Sequence, residues 1–260
     1  GPLLRTDAVA ATAATTADAH AHEADSNSKG FLPSAEEHRE GLVHMEMAKM
    51  YLSGRLCDAA AAADETLPQV NIYNAMNAEE LVPEASITSA MYYAMLAAEC
   101  GVVDACLAMA RLHEGLTSDA LVGLGPLAEE DQDVELSRRM YGRAAVGGVL
   151  EASVRMARAS AAEDGSDGVE QDFAEALYYW RLADALVVKR DAAHPDRVPA
   201  YGDAELYTVR AAQAELLASG GPNLDADSAA AAALYSDAAE RAMRAGKFKT
   251  GEEYMMLAEM

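Results

Sequence analysis

Four stretches of this 260-residue chain repeat one spacing, and few architectures satisfy it. From Asp227, the residues four, seven, eight and eleven positions on are Ala231, Leu234, Tyr235 and Ala238. From Asp172 they are Ala176, Tyr179, Trp180 and Ala183. The same offsets from Asp133 give Ser137, Met140, Tyr141 and Ala144, and from Ser86 they give Ala90, Tyr93, Ala94 and Ala97. Each series opens on a residue whose side-chain oxygen can accept from the open amides of a first helical turn. Positions four, eight and eleven then share one helical face. A small residue where a neighbouring helix must come close, with a bulky pair one turn later, describes a helix made to be stacked on others.

A second helix type alternates with the first. Asp104-Ala105 and Met109-Ala110-Arg111 return forty-seven residues later as Glu151-Ala152 and Met156-Ala157-Arg158. Gly101 and Gly148 share that spacing and suit helix C-caps in the left-handed conformation. Order is expected to begin at Ser34, a cap residue with Glu37 three positions on. Residues 1–33 hold few large apolar side chains, so they are expected to form a disordered leader. Its opening Gly1-Pro2-Leu3 resembles the remnant of a cleaved tag. The prediction is an all-α solenoid of helix pairs over 34–260, about four pairs and a C-terminal helix, interrupted by loops at 55–85, 116–132 and 187–203. Such loops often shape a binding face.

Charge excludes several functions. There are 43 Asp and Glu against 20 Lys and Arg, a formal net charge of −23. Nucleic acids and anionic lipid heads need clustered cations, so neither is an expected partner. No window of about 18 apolar residues suggests a transmembrane helix. Cys57, Cys100 and Cys106 are odd in number and make no Cys-x-x-Cys pair, so free thiols in the cytoplasm are expected. The six histidines lack zinc spacing. The runs Glu129-Glu130-Asp131-Gln132-Asp133 and Glu163-Asp164-Gly165-Ser166-Asp167 do not fit a calcium loop and read as solvated acidic segments. Gly123-Leu124-Gly125 runs into Pro126 and forms no phosphate-cradling loop.

The stretch Gly168-Val169 through Asp172, Ala176, Tyr179-Trp180 and Ala183 resembles the Sel1-like repeat, a relative of the tetratricopeptide repeat. Asp104-Ala105 through His113-Glu114-Gly115 resembles the first helix of the same unit. A closer resemblance covers nearly all of residues 35–260. It is carried by Gly41-Leu42-Val43-His44-Met45 with Gly54-Arg55-Leu56-Cys57, by Ala211-Ala212-Gln213-Ala214-Glu215-Leu216-Leu217, and by Leu234-Tyr235-Ser236-Asp237-Ala238-Ala239-Glu240-Arg241 with Tyr254 and Ala258-Glu259. These are similar to the C-terminal helical region of the eukaryotic elongation factor 2 kinase family, a branch of the alpha-kinases. That resemblance implies a parent Ser/Thr kinase, switched on by calcium–calmodulin, that phosphorylates elongation factor 2 and slows translation elongation. This stretch would carry no catalytic site and no cofactor; ATP, magnesium and calmodulin belong to segments it lacks. Its implied partners are elongation factor 2 and the kinase domain of the same polypeptide, and a monomer is expected. The alternative is a free-standing Sel1-type adaptor with no kinase attached.

Two segments invite a binding role. Tyr178, Tyr179 and Trp180 could form a platform, but Tyr179 and Trp180 occupy the repeat positions of Leu234 and Tyr235 and are expected in the core. Along the last helix, about 247–260, Tyr254, Met255, Met256 and Leu257 are four apolar residues in a row, more than one buried face needs. The expectation is a docking helix with Tyr254 as anchor, the other reading being a simple cap. Adjacent Glu252 and Glu253 diverge on a helix and are not expected to share catalysis.

Overall fold

In the computed structural model, residues 33–54, 84–162, 170–194 and 204–260 are described. The expected leader before Pro33, most of the 55–85 loop and the acidic run at 163–167 lie outside them. The described residues form an all-α structure: α1 (Ala35–Leu52), α2 (Glu84–Glu99), α3 (Val103–His113), α4 (Val134–Val146), α5 (Leu150–Ala161), α6 (Phe173–Ala193), α7 (Leu206–Ser219), α8 (Ser228–Arg244) and α9 (Phe248–Ala258), with a 3₁₀ turn at Glu129–Asp131.

Side-chain caps start α1, α4, α6 and α8, while α3, α5, α7 and α9 begin without one. Ser34 Oγ accepts from the Glu37 amide at 3.2 Å while its own amide donates to Glu37 Oε2 at 2.7 Å, closing a capping box. The carboxylates of Asp133, Asp172 and Asp227 accept from Leu136, Glu175 and Ala230 amides at 2.9, 2.8 and 2.9 Å. Ser86 is different. The helix already begins at Glu84, so Ser86 lies inside the first turn instead of capping it. Behind the caps the repeat positions are buried: Ser137, Met140, Tyr141 and Ala144 on α4, Ala176, Tyr179, Trp180 and Ala183 on α6, and Ala231, Tyr235 and Ala238 on α8. Ala residues at close approach let the backbones come near enough for the larger neighbours to interlock.

Three turns between helices share one geometry. Gly101, Gly148 and Gly246 have φ of 76°, 95° and 77°. The amide of the following residue reaches back to the carbonyl of Ala97, Ala144 or Ala242, which closes the helix end and reverses the chain within a few residues.

Each helix packs on the one before it, most extensively in α1–α2, α3–α4, α5–α6, α7–α8 and α8–α9. Direction follows from contacts that skip a helix. Arg138 on α4 meets Glu175 on α6 at 2.5 Å, and four residues later a Cβ on Gly142 would stand 3.2 Å from the Tyr179 hydroxyl. Both chains advance together, so α4 and α6 run the same way. Arg111 meets Glu151 at 2.8 Å, and Glu114 pairs with Arg155, so α3 and α5 do likewise. The main core runs from α1 into α8, with Met109, Leu112, Met140 and Val187 completely enclosed. Burial of each such side chain contributes about 1.5–3 kcal/mol.

Two expected loops are altered by this packing. The segment 116–132 is irregular but sends Leu121 and Leu124 into the core. The expected loop at 187–203 begins late: α6 continues to Ala193 because Val187 is a core residue and Arg190 donates to the Ala204 carbonyl at 3.1 Å. It ends one residue before the one preceding Pro195, where helical backbone is sterically disfavoured.

Candidate partner-docking surface

Among the described helices, α9 packs chiefly on α8. Helix α9 turns its Gly251, Tyr254 and Ala258 toward α8, a spacing that keeps all three on one face. Gly251 is required by proximity: a Cβ there would meet Met243 Cγ at 2.6 Å and the Ala239 carbonyl at 3.1 Å. Tyr254 joins a second core of Tyr207, Ala211, Ala214, Tyr235, Ala238 and Ala242, its ring tilted 33° to that of Tyr235 at 6.2 Å. Burial, then the carboxylates of Glu253 and Glu215, raise its phenol pKa. Tyr254 is therefore a side chain that holds α9 down, partly buried against α8.

The rest of α9 is open and carries apolar side chains among charged ones. Phe248 is 66% exposed and Met256 62%, and Met255 and Leu257 are exposed beside them. No other described helix covers these four. Met255, Met256 and Leu257 were expected here; Phe248 was not. Its separation from Met255 and Met256 by seven and eight residues, two helical turns, was the available signal. At about 100° per residue Phe248, Met255 and Met256 fall within about 100° of one another, whereas Leu257 lies about half a turn from Phe248, and the exposed Lys249, Glu252 and Glu253 stand among them.

Elsewhere the repeat residues act within the stack. Asp172 caps α6 and also accepts from Asn223 Nδ2 at 2.8 Å, which ties the α7–α8 turn to the start of α6. Phe173 completes that joint by donating its amide to the Pro222 carbonyl while its ring lies against Gly221. Arg210 on α7 holds Asp184 on α6 at 2.8 Å and Asp237 on α8 at 2.5 Å. Burial alone would raise the Asp237 carboxyl, but hydrogen bonds from Arg241 and Arg210 keep it below the usual carboxylate range. Tyr179 and Trp180 are buried; Tyr178 faces outward. Glu129, Glu130 and Asp131 are exposed on their short turn. Among the described residues no group of three His, Cys, Asp or Glu side chains could hold a metal ion, and no helix is long and apolar enough to cross a membrane.

The described chain is thus an all-α protein of sequentially packed helices ending in a half-covered one. No family model matches it. It is 24% identical over 220 residues to eukaryotic elongation factor 2 kinase of Homo sapiens, a match covering 84% of this chain and 27% of that kinase. The chain spans about a quarter of the length of the curated relative it matches.

Proposed function

We propose that this chain is a Sel1-like helical-repeat solenoid of an elongation factor 2 kinase, and that it recruits elongation factor 2 through the outer face of α9. Two observations favour the solenoid reading: helices two apart run in the same direction, and the cap, small-residue and bulky-pair positions recur in equivalent places on α4, α6 and α8. The likeness to human elongation factor 2 kinase supports the kinase connection.

The observation that carries the recruiting role is the exposed group of Phe248, Met255 and Met256, within about 100° of one another on the last described helix of a chain of charge −23. An uncovered apolar face that includes two methionines is suited to adaptable contact. The surrounding negative field would speed encounter with a basic surface. The chain itself would transfer no phosphate and act in the cytoplasm, beside the kinase domain of the same polypeptide. The test is capture of purified elongation factor 2 by the chain and by a Phe248→Ser/Met256→Ser variant. Loss of capture with an unchanged melting curve supports the role, and capture equal to the parent sinks it.

A further inference from the structure

No further inference is drawn: the strongest candidate, the small cleft that His113, Glu114, Arg138, Tyr141 and Arg155 line between α3, α4 and α5, carries nothing, because its guanidiniums already pair with Glu175 and Glu114, its unpartnered His113 Nδ1 is closed to solvent, and nothing in the structure shows what would fill it.

Discussion

Tyr254 and Phe248 lie six residues apart on one short helix and are expected to respond oppositely to truncation. Tyr254→Ala removes a half-buried ring from the terminal core. Full truncation of a buried aromatic costs about 3–5 kcal/mol, so a half-buried one should cost about 2 kcal/mol. Loss of the ring pair with Tyr235 adds about 0.5–1.5 kcal/mol. For a domain of this size each kcal/mol moves a single cooperative transition by about 2–4 °C. The parent melting point should therefore fall by roughly 5–14 °C, or an early partial loss of helicity should appear as α9 leaves α8 first. Phe248→Ser changes only an exposed residue and should stay within about 0.5 kcal/mol of the parent. Circular dichroism melts of both variants, run beside capture of elongation factor 2, give the answer. Tyr254→Ala with a parental melt would refute the inward placement of this ring.

Further changes probe the stack. Asp172→Ala loses both the α6 cap and the Asn223 contact and should cost about 1–2 kcal/mol by urea melt, against a smaller loss for Asp227→Ala, which loses the cap alone. Gly246→Ala meets no atom within 4 Å and should cost only the left-handed backbone, about 1–2 kcal/mol, whereas Gly101→Ala also strikes the Pro33 ring and should cost more. Burial lowers the pKa of His113, whose Nδ1 has no partner, although Asp133 and the Asp131 backbone pull the other way. The folded state thus prefers the neutral ring; that stability is complete above about pH 6.5 and is lost as pH falls below it. Melting points should drop between pH 7 and 5 more in the parent than in His113→Gln.

Regularity decided what could be read in advance. The Asp133, Asp172 and Asp227 caps and the buried small and bulky positions behind them are local consequences of helical spacing, and they are visible in one dimension. Ser86 misled because a cap depends on the backbone conformation before the helix, which spacing does not report. The extent of α6 was hidden for a related reason: Val187 is helical because a core awaits it, and residues 187–194 carry no breaker of their own. On α9 the run Tyr254-Met255-Met256-Leu257 announced an excess of apolar surface without saying which side faced in. Gly251 and Ala258 settle that, because only their face allows the close approach to α8.

The order in which the helices pack has a bearing on synthesis. A chain whose elements bind their immediate predecessors can assemble while still being made, since each new helix finds its surface already waiting. Among the described helices α1 is the exception: thirty-one residues separate its end at Leu52 from the start of its partner α2 at Glu84. From α3 onward most interfaces close soon after the second helix is complete. Arg138 then sets a checkpoint, because its partner Glu175 arrives only with the start of α6, thirty-seven residues later. Until that moment a guanidinium prepared for a carboxylate stands beside Ser160 alone, and a ribosome stalled there should expose a nascent chain more easily cut by protease than one stalled a helix further on.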